Sequence, residues 1–269
     1  MKKTTAPFNR LIILILQVLL IIGIGGITWH LLHKTKDVPP DVFPYLTSLS
    51  PELILDCQKE GEGVSKTAWA DLLAIKSTLS AQQSSLFVKQ IKQGISFNQI
   101  TWNNQEMLLS PELIKKAKLR RMFLLNYPLF EPKRYFFPVS GMPWYQDSWG
   151  ADREGGKRRH EGTDLFAKEG TPLYNVCSGK IEKLGWNRLG GERVGIRGDD
   201  ENYYYYAHLQ TIEPSLKVGQ TIAKGVKIGT MGHTGDALTT PDHLHFGIEL
   251  PNGKWINPYP FLKVWQNYQ

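Results

Sequence analysis

The chain has 269 residues and a mass of 30.6 kDa, more than one small domain usually needs. A hydrophobic content of 41% with 8 Trp excludes a disordered tail or a fibre, and the two cysteines, Cys57 and Cys177, stand too far apart for a disulfide-stapled mini-domain or a thiolate zinc ribbon. The net charge of +7 is local: residues 1–50 carry five basic and two acidic side chains, 101–134 seven and three, and 135–269 fifteen of each, with no nucleic-acid-reading motif beside the charge.

Residues 1–10 hold Lys2, Lys3 and Arg10 and are expected to be a cytoplasmic tail. From Leu11 to Leu32 the chain is apolar apart from Gln17, Thr28 and His30, about long enough to cross a hydrocarbon core of ~30 Å. No Ala-x-Ala exit follows it, so the run reads as an uncleaved transmembrane signal anchor that leaves the rest of the chain extracytoplasmic. Pro39, Pro40 and Pro44 give residues 33–49 the composition of an extended stalk.

Residues 50–130 read as three or four helices. Ser50-Pro51 and Ser110-Pro111 each place a capping residue before a first-turn proline, and Trp69, Leu72, Leu73, Ile75, Leu79, Leu86, Phe87 and Ile91 recur at roughly helical spacing. The region holds no histidine. It offers no chemistry of its own, and three roles stay open for it: a spacer, a partner-binding unit or a cover for the catalytic groove. The basic stretch Lys115, Lys116, Lys118, Arg120, Arg121, Lys133 and Arg134 is either a solvated helix face or a surface for an anionic lipid or polymer.

After Pro132 the texture changes to short β-rich runs between glycine turns: Tyr135–Val139, Pro172–Val176, Lys180–Leu184, Arg193–Arg197, Tyr203–His208 and His243–Leu250. Residues 135–269 are expected to form a mainly β domain. Five of the seven histidines fall in it: His160, His208, His233, His243 and His245. On a strand, His243 and His245 point to one face while Leu244 turns to the core. His160 and Asp164 form a second pair, but Gly162 between them argues for a loop entering a strand, so they meet only if the backbone curves. Two imidazoles and a carboxylate suit a zinc ion with a fourth position left open, the arrangement of a hydrolytic centre.

His160-x-x-x-Asp164, Tyr206-Ala207-His208-Leu209 and His243-x-His245, in that order, resemble the lysostaphin and LytM family of peptidoglycan zinc endopeptidases. Gly185-Trp186-Asn187-Arg188, Gly190-Gly191, Val194-Gly195-Ile196-Arg197 and Asn257-Pro258-Tyr259-Pro260 resemble its membrane-anchored L-alanyl-D-glutamate peptidases from endospore formers. The resemblance implies a small antiparallel β-sheet fold with a groove over one zinc ion. It further implies His160, Asp164 and His245 as metal ligands, His208 and His243 as catalytic residues off the metal, and a peptidoglycan stem peptide as substrate. Relatives that have lost ligands serve as scaffolds or partner-binding proteins; here all five residues are present. Two positions depart from the family pattern. Glu154 stands where relatives carry a tyrosine that helps hold the transition state, which leaves that donor either to come from elsewhere, with Tyr145 a candidate, or to be absent, and Asp242 precedes His243 where relatives usually carry proline. His233 is expected at the surface, and Cys177 as a small buried residue rather than a nucleophile.

Overall fold

The computed structural model describes Pro39, residues 42–102 and residues 109–269. Among these residues no helix is long and apolar enough to cross a membrane; the expected tail and membrane anchor, residues 1–32, lie outside the described residues.

Part of the expected stalk is a helix. Helix α1, Val42–Thr47, buries Val42, Tyr45 and Leu46, with Leu49 behind them. These positions stand at i, i+3, i+4 and i+7, the spacing of a helix with one buried stripe. Pro44 falls in the first turn, where its missing N–H would have had no helical partner. The proline count therefore misleads for residues 42–49, and the periodicity decides.

Four helices follow: α2 (Pro51–Gly61), α3 (Ala68–Lys76), α4 (Ala81–Lys92) and α5 (Pro111–Asn126). Ser50 and Ser110 cap α2 and α5, accepting from the backbone N–H of Leu53 and Leu113 at 3.3 Å each. Ser80 and Gln83 close a reciprocal capping box on α4, and such caps contribute ~1 kcal/mol each. Helix α3 is buried on every side from Ala68 to Ile75 and is the centre around which α2, α4 and α5 pack. Two arginines of the basic stretch tie α5 to it: Arg121 pairs with Asp71 at 2.6 Å, and Arg120 donates to the Ser77 carbonyl while lying over the Tyr45 ring.

The second half is a nine-stranded antiparallel sheet with a two-stranded hairpin beside it. The hairpin pairs β1 (Asp152–Arg153) with β2 (Arg158–Arg159). The sheet contains β3 (Thr163–Phe166), β4 (Pro172–Tyr174), β5 (Gly179–Asn187), β6 (Gly191–Gly198), β7 (Tyr203–Ile212), β8 (Thr221–Ile222), β9 (Lys227–Met231), β10 (His243–Glu249) and β11 (Trp255–Ile256). Its main path runs β11-β10-β7-β6-β5-β8, with β3 also on β10, and β9 joining β7 to β4. Tyr135–Val139, expected as a strand, makes only a single bridge from Val139 to Leu173. Prolines at 138 and 143 interrupt the ladder there.

Helix α6 (Tyr259–Gln266) joins the two halves. The Phe261 and Phe130 rings pack in a tilted pair with centroids 4.5 Å apart, Trp265 donates to the Leu129 carbonyl at 2.8 Å, and Gln58 of α2 donates to the Phe130 carbonyl at 2.6 Å. One hydrophobic core consequently runs from α1 through α6 into the Tyr204, Tyr206, Leu244 and Phe246 face of the sheet.

Candidate active site

Strand β10 is paired on both sides. Across one ladder His245 stands opposite Asp164 of β3, and across the other opposite Ala207 of β7. Leu244, Phe246 and Ile248 point into the core, fully buried, so His243 and His245 are turned together onto the opposite face. The period-two reading of this segment holds.

His160 reaches the same point from the loop before β3. Its Nδ1 is 2.9 Å from the Ser148 carbonyl oxygen, an acceptor only, so Nδ1 carries the proton and Nε2 is left with its lone pair. Ser148 is held in turn because the neighbouring Asp147 carboxylate accepts two 3.1 Å hydrogen bonds from the Asn257 amide. His160 Nε2 lies 3.0 Å from Asp164 Oδ1 and 3.0 Å from His245 Nδ1, and the third side of the triangle, His245 Nδ1 to Asp164 Oδ1, is 3.1 Å. Ligand atoms ~2.0–2.1 Å from a tetrahedral zinc stand about 3.3 Å from one another. Two imidazole nitrogens and a carboxylate oxygen therefore form a group that suits a metal ion.

The charge balance supports this donor set. Burial pushes the Asp164 carboxyl up, but the adjacent His160 and His245 imidazoles outweigh it and hold the group well below the usual carboxylate range. Burial also pushes His245 down, toward the neutral form that ligates. Asp164 Oδ2 accepts a 2.6 Å bond from Arg153 Nη2, a contact the sequence reading missed.

His208 arrives by an irregularity. Strand alternation along β7 would turn Tyr204, Tyr206 and His208 to one face, and the first two are indeed fully buried. The β6–β7 register slips between the pairs Glu192–Leu209 and Val194–Tyr206, and His208 takes φ +66°. This bulge restores Leu209 to the core and moves His208 to the groove face. A non-glycine residue in the left-handed region stores strain; the Gly190 carbonyl, which accepts from His208 N at 2.7 Å, helps hold it. His208 Nδ1 donates to the Thr234 carbonyl at 2.8 Å and His243 Nδ1 to the Pro241 carbonyl at 2.8 Å, so both rings keep Nε2 for the groove. Their ring centroids are 4.9 Å apart. Burial, then the neighbouring His243 and His245, push the His208 pKa down to about 4.

The five expected residues thus line one groove of about 410 Å³, together with Phe166, Tyr205, Trp255 and three arginines, 153, 158 and 159. Tyr145 does not line it: its hydroxyl donates to Gln266 at 2.9 Å in a buried position against Tyr259. Tyr205 faces the groove, edge-on to His245 at 6.1 Å. Glu154 sits at φ +52° on the exposed hairpin and pairs with Arg158. His233 pairs with Asp242 at 2.8 Å, which turns that carboxylate away from His243, and Cys177 is buried. The sequence reads Gly162 as the mark of a loop entering a strand, and the structure gives it a further part. A Cβ there would lie 2.5 Å from His245 Cε1 and 2.7 Å from Nε2, so only glycine lets the ring take its place.

The sequence profile of peptidase family M23 matches residues 158–258. The L-Ala--D-Glu endopeptidase of Bacillus subtilis is 42% identical over 134 residues, 46% of this chain and 41% of that protein. Lysostaphin of Staphylococcus simulans is 38% identical over 109 residues, 39% of this chain and 21% of that one. The chain thus spans less than half the length of these curated relatives. A Ruminococcus gnavus protein assigned as a glycyl-glycine endopeptidase, lytM, shares the fold at a TM-score of 0.54 and 22% identity, over 83% of this chain and 93% of that one. The donor triangle, the paired histidines beside it and the match to the peptidase family M23 profile all fall within residues 158–258.

Proposed function

We propose that the protein is a zinc metalloendopeptidase that hydrolyses the L-Ala-D-Glu amide bond of peptidoglycan stem peptides, anchored to the membrane by residues 11–32 and acting outside the cytoplasm in cell-wall or spore-cortex remodelling. The observation that carries this reading is the triangle of His160 Nε2, Asp164 Oδ1 and His245 Nδ1 with His208 and His243 beside it. The bond is inferred from the Bacillus subtilis relative, and the anchor from hydropathy.

His160, Asp164 and His245 would hold the metal. Zinc bound there supplies Lewis acidity, polarising the scissile carbonyl and acidifying water. The remaining work belongs to the two free imidazoles. Each gives its Nδ1 proton to a backbone carbonyl and so presents a basic Nε2 to the groove. With its pKa lowered to about 4, His208 is neutral at neutral pH and ready to accept a proton from the attacking water. Once protonated, the His208 Nε2–H is a donor, able to return that proton to the leaving amine, while His243 meets the charge that grows on the carbonyl oxygen through Nε2 when that atom carries a proton. The low-dielectric wall of Phe166, Tyr205 and Trp255 strengthens both interactions.

The test is mass spectrometry of muropeptides after incubating purified protein with sacculi, with and without a chelator. Chelator-sensitive appearance of glycan strands carrying L-Ala alone is the expected result. Cleavage at another peptide bond would overturn the bond assignment, and intact stem peptides would overturn the enzyme reading.

A further inference from the structure

The hairpin β1–β2 forms a wall of the groove, and its register decides which side chains face inward. Arg153 stands opposite Arg158, and Asp152 opposite Arg159, so Arg153 and Arg158 share one face. Both reach across the groove. Arg158 bridges Glu154 of its own hairpin and Asp236 of the facing loop, at 3.1 Å each. Arg153 uses one N–H on Asp164 Oδ2, and its guanidinium makes no other hydrogen bond among the described residues. It is partly exposed, at 37%. A guanidinium has five donors in a planar fork, so most of this one is left to meet something in the groove.

Orienting a ligand carboxylate needs only a donor, and a neutral amide or backbone N–H would serve without drawing negative charge away from the metal. A full cation at this point calls for a further partner. The L-Ala-D-Glu linkage provides one. When D-glutamate continues the chain through its γ-carboxyl, its α-carboxylate is attached to the same carbon as the scissile nitrogen. A peptide whose scissile carbonyl sits over the donor triangle carries that anion a few ångströms to the amine side. Arg153 reaches the outer oxygen of Asp164, whose inner oxygen belongs to the triangle, so its guanidinium stands directly beside the donor set.

We propose that Arg153 reads the free α-carboxylate of the residue on the amine side of the scissile bond, with Arg158 fixing the wall that carries it. The inference rests on the peptidase reading above and adds a substrate requirement to it: the residue after the cut must bear a free carboxylate, and its α-amide is discriminated against. The fork geometry of arginine suits a carboxylate and not a carboxamide, which brings its own N–H donors.

The experiment uses the full chain in detergent, loaded with zinc, and two matched muropeptides that differ only in whether the D-glutamate α-carboxyl is free or amidated. The wild type is expected to favour the free acid in kcat/KM by about 10- to 100-fold, the range of a charge-assisted bond. Arg153→Gln, whose amide can still donate to Asp164, should remove that preference by slowing the free acid more than the amide. A second arm reads binding by the metal-free protein, using non-cleavable analogues of both peptides in calorimetry. The free acid should bind more tightly to the wild type, and equally with the amide to Arg153→Gln. Equal cleavage and equal binding of the two peptides by the wild type would overturn the proposal while leaving the peptidase reading intact. So would an Arg153→Gln protein that loses activity equally on both, since that marks a residue acting only through Asp164. If neither peptide is cut, the peptidase reading fails on its own, and the binding arm still decides whether Arg153 selects the carboxylate.

Discussion

Replacing Gly162 by alanine isolates the packing that seats a metal ligand. The residue does not adopt the left-handed backbone that favours glycine, so alanine meets no backbone penalty there. In open space such a change would stabilise the fold by about 0.4–1 kcal/mol through the unfolded chain. Here the new methyl would lie 2.5 Å from His245 Cε1, 2.7 Å from its Nε2 and 2.7 Å from the Phe246 carbonyl oxygen. Carbon atoms pack best about 3.5–4.0 Å apart, so the ring must retreat by about 1 Å. His245 Nδ1 is 3.0 Å from His160 Nε2 and 3.1 Å from Asp164 Oδ1, and a retreat of that size opens the triangle. We expect a loss of about 1–3 kcal/mol in stability from overpacking and a fall of about 10- to 100-fold in zinc affinity, the usual penalty for disturbing a ligand's support. Chelator competition measures the affinity, and thermal unfolding of the metal-free protein measures the packing. A Gly162→Ala protein that is more stable than wild type and binds zinc as well would refute the reasoning.

The remaining substitutions separate the two kinds of histidine. His245→Ala should remove zinc and activity together, whereas His208→Ala and His243→Ala should keep the metal content and lose about 10²- to 10⁴-fold in kcat; metal analysis beside a cleavage assay distinguishes the classes. Stability should depend on pH through His208: the unfolded imidazole takes up a proton near pH 6.5 and the folded one only near 4, so the unfolded chain binds more protons between these values. Stability is then lost as pH falls from about 6.5 to about 4, on the order of 3 kcal/mol. His208→Ala should flatten that slope in urea titrations of the metal-free protein, and parallel slopes would count against the assignment. In the helical half, Arg121→Ala leaves the buried Asp71 carboxylate without its 2.6 Å partner; a loss of about 3–5 kcal/mol is expected by chemical denaturation, and a loss under 1 kcal/mol would show that the carboxyl is readily protonated or hydrated.

The sequence made His243 and His245 legible because strand alternation is a local rule that the core enforces at Leu244 and Phe246. It made the capped starts of α2 and α5 legible because Ser-Pro acts within one turn. His208 is legible through the Tyr206-Ala207-His208-Leu209 motif and not through alternation, which puts that residue with Tyr204 and Tyr206; only the bulge in β7 brings it to the groove. The further part of Gly162 was opaque: its contribution is an absence of atoms next to a ring 83 residues further along the chain. Arg153 lies on a two-residue strand whose partner is set by a glycine turn, and nothing local distinguishes it from a solvated arginine. Helix α1 was hidden by composition, because three prolines outweighed a four-residue period.

The site divides according to how its parts are fixed. The metal donors Asp164 and His245 are an opposed pair on β3 and β10, and the register of that ladder is set by hydrophobic burial. A slip of one residue in β10 would drive His243, His245 and Gly247 into the core and expose Leu244 and Phe246, each worth ~1.5–3 kcal/mol when buried. The donor geometry is therefore held by forces that act away from it, on the other face of the sheet. His208 is exempt from this control, because the bulge uncouples it from the alternation that buries Tyr204 and Tyr206. Its aim is set instead by two backbone contacts, Gly190 O and Thr234 O, from two loops that are hydrogen-bonded to each other. A proton carrier placed by loops can be tuned without moving Asp164 and His245, whereas any change to those two donors must first contend with the register of the sheet.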